Sequence, residues 1–321
     1  MSPLKPGKPL KPGKPFRFAV EAAKIREFVD AIGEPGKCFR SVRVAHQLGL
    51  PGIPAPILFS RSTVFQEPPG TPVNRMIGID PSLLRHAGHE WHSDAPLIAG
   101  KTYRVTPLTI IQDVTKSNRD GRDRRFITAE RKFFTSSGQQ VLAEKMITVV
   151  VGRDAPSTAP QEATPASASG LQQGVCRREV LQWHADWRRA QPGSLLAHVR
   201  TGRLSLTDIV RFAGAIGDYT PIHHDDAHAR SVGLPGVIAM GMLPGAVVAS
   251  VLEAGFGPAT LSSLTMRFHN VLYPGPGLDV RVVADGGAQT APGAVSFQVL
   301  DTNGVLILSG AGAPRTGTST A

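Results

Sequence analysis

Residues 209–226 read IVRFAGAIGDYTPIHHDD, and residues 25–34 read IREFVDAIGE. Both runs begin with apolar residues and pass through Ala-Ile-Gly to an acid. In the later copy, Ile209, Phe212, Ala213 and Ile216 fall on one face of an amphipathic helix that Gly217 ends. The offset between the copies is 209 − 25 = 184. A second pair, GLPGIPAP at 49–56 and GLPGVIAM at 233–240, gives 233 − 49 = 184 again, with no gap between the two matches. Across residues 25–58 the offset yields eleven identities: Ile25, Phe28, Ala31, Ile32, Gly33, Ala45, Gly49, Leu50, Pro51, Gly52 and Ala55. Composition alone gives about two or three. The chain therefore carries two copies of one domain, since the period is far too long for a solenoid.

Each copy has the same coarse grammar. An amphipathic helix leads to a loop and a short helix, about Asp225 to Val232 in the second copy, stopped by Gly233. An LPG turn then opens an apolar helix: GMLPGAVVASVLEAG in the second half, and the Pro-bent IPAPILFSRSTVF in the first, which could border an acyl-chain pocket. Strands follow. In the first half these are Thr102–Val114, Arg124–Ser136 and Gln139–Val151; in the second, SLLAHVRTGRLS, LSSLTMRFHNVL, LDVRVVADG, GAVSFQVLD and GVLILSGAG. A helix followed by several antiparallel strands predicts an α+β fold, with a sheet wrapped on a central helix.

Composition sets the outer limits. A chain of 321 residues suggests about two domains. Hydrophobic residues at 41% and charged residues at 19% fit a soluble globular protein, and no apolar run reaches the ~18 residues of a membrane span. The N-terminus has lysines but no apolar signal core, and Cys38 and Cys176 are too few for a disulfide framework; a cytoplasmic setting is expected. The Pro-Gly repeat LKPGKPLKPGKP reads as a flexible basic tail, residues 1–15, and the Ala/Pro/Ser/Thr-rich stretch after Arg153 as a linker, residues 153–175. These leave a first domain over 16–152 and a second over 176–314. The net charge of +10 is spread along the chain apart from Arg122, Arg124, Arg125, Arg131 and Lys132. No nucleic-acid motif accompanies it, so an anionic small molecule is the better-matched partner.

Three readings of GDYTPIHHDD compete. His223, His224, Asp225, Asp226 and His228 look ligand-rich, but adjacent histidines point apart and no remote Cys or His cluster completes a metal set. A solvated polar loop in which Asp225 caps the short helix accounts for His224, Asp225, Asp226 and His228. The third reading pairs Asp218 with His223. Pro221 makes a continuous helix costly, and a helix end followed by a turn can bring carboxylate and imidazole to one cleft as an acid–base pair. The duplicate bears on this: 34 + 184 places Glu34 opposite Asp218, and 39 + 184 places Phe39 opposite His223. The scaffold repeats while the imidazole does not, the pattern of two copies with one doing chemistry.

AIGDYTPIHHDDAHA, with GVIAMGML beginning thirteen residues after His223, resembles the signature of the MaoC-like dehydratases, also called hydratase 2 or (R)-specific enoyl-CoA hydratases. Their usual pattern is G-D-x-N-P-[LIV]-H, then an alanine-containing helix, then [IV]-x-H-G-M-L. The resemblance covers both halves and implies a double hot-dog, two fused hot-dog domains in place of a dimer. It implies that Asp218 and His223 are the catalytic dyad, and that Gly241, at the start of the central helix, offers its N–H to the thioester carbonyl. Thr220 stands where the family has Asn, and Met240 where it often has His; both are candidate substrate-binding positions, Met240 with an apolar role. The implied reaction is reversible hydration of a trans-2-enoyl thioester of CoA or acyl carrier protein, with no metal or redox cofactor, on a chain that could pair as a homodimer. The alternative is a non-catalytic acyl-thioester binding module on the same fold. In the first half, the segment Glu90 to Val105 resembles the family's lead into its second strand, with Trp91 and His92 read mainly as packing residues.

Overall fold

The helix around Phe212 shows how the local sequence writes the fold. In the computed structural model it spans Leu206–Ile216. Ser205 caps it: its hydroxyl accepts from the Asp208 N–H at 3.1 Å, and the Asp208 carboxylate accepts from the Ser205 N–H at 2.8 Å. Two otherwise orphaned donors are satisfied reciprocally. Gly217 closes the helix in the left-handed region at φ 70°, with its N–H on the Ala213 carbonyl. A Cβ here would also lie 2.4 Å from Val64 Cγ1, so the close approach of the first half requires glycine as well.

The structure describes residues 13–68, 77–79, 83–117, 123–150, 174–175, 177–187, 189–286 and 292–315. Most of the tail and linker expected at 1–15 and 153–175, together with Arg122 and Cys176, lies outside them.

The helices are α1 (Ala22–Ala31), α2 (Val42–Gln47), α3 (Leu206–Ile216), α4 (Asp226–Ser231) and α5 (Met242–Phe256). The duplication is visible element by element. The 3-10 turn Lys37–Phe39 recurs at Pro221–His223, and α2 recurs as α4, each at the offset of 184. Even the caps correspond, Ser41 to Asp225. Helices α1 and α3 pack against each other through the equivalent pair Phe28 and Phe212, ring centroids 5.6 Å apart.

Among the described residues the twelve strands are β1 (Phe16–Ala19), β2 (Leu84–Ser93), β3 (Thr102–Val105), β4 (Thr109–Ser117), β5 (Asp123–Phe134), β6 (Gln140–Val150), β7 (Arg178–Trp183), β8 (Leu195–Thr201), β9 (Leu261–Phe268), β10 (Leu278–Ala284), β11 (Val295–Asp301) and β12 (Leu306–Pro314). They form one sheet in the order β1-β3-β5-β6-β2-β9-β12-β11-β10-β8-β7, with β4 also on β5. All pairings are antiparallel. The two halves join at the centre, where β2 pairs β9 from Gly88↔Arg267 to His92↔Ser263. This is a double hot-dog. The run 102–114 divides into β3 and β4 around Pro107, which has no N–H to give a ladder.

The sheet wraps a different core segment in each half. Helix α5 buries thirteen of its fifteen residues. The first half has a nine-residue 3-10 helix, Ile57–Phe65, in the same place. Pro54 and Pro56 precede it, and its small polar residues bond sideways rather than sitting passively in a helix. The Ser60 hydroxyl donates to Glu144 at 2.5 Å, Ser62 to the Ala215 carbonyl at 3.3 Å, and Thr63 accepts from Arg131 at 2.6 Å. These bonds tie the segment to β5, β6 and α3.

Candidate active site

The polar run after α3 is a tight loop against the start of α5. Asp218 follows Gly217, its N–H still on the Ala213 carbonyl at 3.1 Å. Pro221 opens the 3-10 turn that carries His223 inward, where the side chain is 9% exposed against 35% for Asp218. His223 Nδ1 lies 2.7 Å from the Ile238 carbonyl oxygen. A carbonyl can only accept, so Nδ1 donates, and Nε2 is the ring nitrogen left to face Asp218. That nitrogen is 3.7 Å from Asp218 Oδ2. The gap exceeds a hydrogen bond but suits a water or substrate hydroxyl held by both groups.

Thr220 fixes the other half of the carboxylate. Its hydroxyl donates to Asp218 Oδ1 at 2.6 Å and its N–H lies 3.3 Å from the same atom. One oxygen is thus occupied by the loop and the other faces the imidazole. Ile238 also donates its N–H to the Ile222 carbonyl, and Ala239 to Leu272, so the strand-like segment leading to α5 and the His223 turn are one unit.

Gly241 is the N-cap residue of α5. The first N–H groups of a helix have no intrahelical acceptor and favour negative charge. A Cβ at Gly241 would lie 2.9 Å from Phe268 Cε1, which keeps this end of the helix bare. Met240 is buried in the hydrophobic core at 3% exposure. The structure therefore brings Asp218, Thr220 and His223 together, sets Gly241 at the adjoining helix start, and turns Met240 into the core.

The remaining polar residues of the run point elsewhere. Asp225 caps α4 by accepting from the His228 N–H at 2.9 Å, and Asp226 pairs with Arg230 at 2.8 Å. His224 and His228 are exposed. Among the described residues no three His, Cys, Asp or Glu side chains converge as a metal site would require. Trp91 is buried and donates to the Ser60 hydroxyl at 3.1 Å, while His92 is on the surface beside Asp94 at 3.2 Å.

Sequence reasoning missed what the first half brings to this site. Val64 and Phe65 press on Gly217, next to Asp218. Behind Phe268, whose ring is 4.8 Å from that of His86, the buried His89, Glu144 and Ser60 meet the half-buried His86 and Arg61. Burial opposes ionisation of Glu144, but the neighbouring His89, its Nε2 3.6 Å away, and the charge of Arg61 hold its carboxyl well below the usual range. Burial keeps His86 and His89 neutral. Only the polar letters scattered along apolar β2 and β6 could have signalled this.

Comparison with known proteins gives the class. Residues 189–302 match the MaoC like domain family, and residues 8–144 match the FAS1-like, dehydratase domain region. The chain is similar to a solved MaoC-like dehydratase with a TM-score of 0.72 at 20% identity, covering 94% of this chain and 96% of that one. It is also similar to a conserved hypothetical protein of Mycobacterium tuberculosis described as a double hot-dog, with a TM-score of 0.59 at 14% identity, covering 95% and 97%. Over 96 residues it is 33% identical to the peroxisomal hydratase-dehydrogenase-epimerase of Saccharomyces cerevisiae, a stretch that makes up 30% of this chain and 10% of that relative. The second half thus carries a MaoC like domain and the first a FAS1-like dehydratase region, on a double hot-dog fold. No helix among the described residues is long and apolar enough to cross a membrane.

Proposed function

We propose that the chain is a single-site hydratase for trans-2-enoyl thioesters, forming (R)-3-hydroxyacyl thioesters of CoA or acyl carrier protein and running the reverse dehydration. The observation that carries the reading is the fixed pair Asp218 Oδ2 and His223 Nε2, 3.7 Å apart, beside the start of α5. The pair holds one water between carboxylate and imidazole. As the water oxygen bonds to Cβ, the dyad takes one of its protons and returns it to Cα, so a whole water is added and the enzyme ends unchanged. Electron density pushed onto the thioester oxygen during attack is met by the Gly241 N–H. Run backwards, the dyad takes the α-proton and protonates the departing hydroxyl. Thr220 holds the carboxylate in register rather than reaching substrate, because its hydroxyl is already committed to Asp218.

The test is loss of enoyl absorbance with crotonyl-CoA and longer trans-2-enoyl-CoA, followed by chiral analysis of the product. Asp218→Asn and His223→Ala should each abolish most of the turnover without unfolding the protein. Wild-type rates in both variants would refute the dyad; binding without turnover in the wild type would make the chain an acyl-thioester binding module.

A further inference from the structure

The offset of 184 that finds Asp218 and His223 also finds their counterparts, and the structure shows what became of them. Glu34 keeps the backbone of Asp218: its N–H bonds to the Val29 carbonyl at 2.8 Å, as that of Asp218 bonds to Ala213. Its carboxylate accepts from the Gly36 N–H at 2.8 Å, as that of Asp218 accepts from Thr220. Phe39 fills the place of His223 and is buried. By the same arithmetic, 57 + 184 = 241, so Ile57 at the start of the first-half 3-10 helix is the counterpart of Gly241.

Ile57 does not face an open cleft. Glu253, on α5 of the other half and only 4% exposed, lines one small cavity together with Ile57 and Ala259, and the backbone N–H groups of both favour its charged form. Ser250, one turn earlier on α5, hydrogen bonds to Glu34 and accepts from Arg178 at 2.7 Å. Beside Glu253 is a small cavity with apolar walls that include Ala55, Pro56, Leu97, Leu142 and Leu261. A carboxyl group, one N–H at a helix start, one N–H from the loop after α5 and an apolar recess together are the parts of a site for a short acyl head.

We infer that the first half keeps a second acyl-head pocket, the counterpart of the Asp218–His223–Gly241 site, and that the side chain of Glu253 occupies it as a built-in ligand, so that removing this carboxyl exposes a site for a short-chain carboxylic acid. The inference rests on the duplication and the packing of Glu253, not on turnover at Asp218. The groups facing Glu253 are Glu34 from the loop after α1, Cys38 from the following turn, and Arg315 after β12. Burial, then the nearby Glu34 charge, pushes the Glu253 carboxyl up to about 8, against the modest pull of the two N–H groups and Arg315. Burial, then Glu253 and Glu34, pushes the Cys38 thiol up to about 11. Because the folded chain holds a proton on Glu253 that the unfolded chain releases above 4.5, this group's contribution to stability falls as pH rises from about 4.5 to about 8 and then levels.

The test is thermal unfolding of the full chain carrying Glu253→Ala, in acetate, propionate or butyrate against chloride at matched ionic strength. The best-fitting acid should raise the midpoint of the variant by about 2–4 °C at tenfold saturation, and leave wild type and Glu253→Gln where chloride leaves them. Equal shifts in all three proteins would overturn the proposal. Should Glu253→Ala fail to fold, Glu253→Gln decides: its stability should lose the wild-type decline between about pH 4.5 and about 8, and an unchanged decline would show that Glu253 is not the buried acid in this pocket. Turnover at the other site is a separate readout, so failure of the hydratase reading and failure of this one are distinguishable.

Discussion

The loop at Asp218 and the loop at Glu34 share a backbone and differ in what reaches them. Both leave a helix with the same hydrogen bond, both turn through a 3-10 helix, and both fold an acid onto the N–H two residues ahead. At Asp218 the next inward side chain is an imidazole tied to the Ile238 carbonyl, and the neighbouring helix begins with a bare glycine. At Glu34 the inward side chain is Phe39, the neighbouring helix begins with Ile57, and Ser250 and Glu253 come across from the other half. The scaffold alone therefore does not make a reactive site. A hydrogen-bonded nitrogen with a free lone pair and an unfilled helix start complete it.

Substitutions can push on each of these differences. The largest effect should come from the dyad itself: His223→Ala or Asp218→Asn should lower kcat by about 10²–10⁴-fold, measured as steady-state hydration of enoyl-CoA with the circular dichroism spectrum unchanged. Next is Gly241→Ala. Its new methyl meets Phe268 at 2.9 Å and must displace ring or helix, so turnover should fall about tenfold to a hundredfold, with a lower unfolding midpoint in calorimetry. Thr220→Val removes one hydrogen bond to Asp218 Oδ1 and should cost about two- to tenfold in kcat with KM little changed. The smallest effect should come from Phe39→His placed in a His223→Ala background. With Glu253 still at Ile57, no turnover should return; recovery above the His223→Ala level would mean that the missing imidazole was the sole difference between the loops.

Much of this architecture was legible in the linear sequence, and the reason is the gap-free repeat. Helices α1 and α3, the capped short helices and the start of α5 all sit on one offset, so a single comparison located both loops and singled out His223 as the unmatched residue. A local signal also served: Asp225 caps where its residue type suggests. Legibility stopped where side chains act across long separations. Nothing in IPAPILFSRSTVF announces that Ser60, Ser62 and Thr63 will be claimed by Glu144, Ala215 and Arg131, or that the expected apolar helix is a tighter 3-10 one. The contact between Ser250 and Glu34 joins residues 216 apart, and Glu253 reads along α5 as one acid in an apolar run. The short edge strands β1 and β7 carry too few residues for a period to emerge.

The contact of Phe28 with Phe212 has one more consequence. Equivalent residues touch each other where two copies are related by a twofold relationship, as in a symmetric dimer. In a dimer of identical chains every substitution is written twice, so a change that silences one catalytic loop silences both. Joining the copies in one polypeptide removes that bond of inheritance. One loop can lose its imidazole and accept a neighbour's carboxylate while the other stays under the demands of chemistry, and the twofold frame, still held by its two phenylalanines, outlives the equality it once enforced.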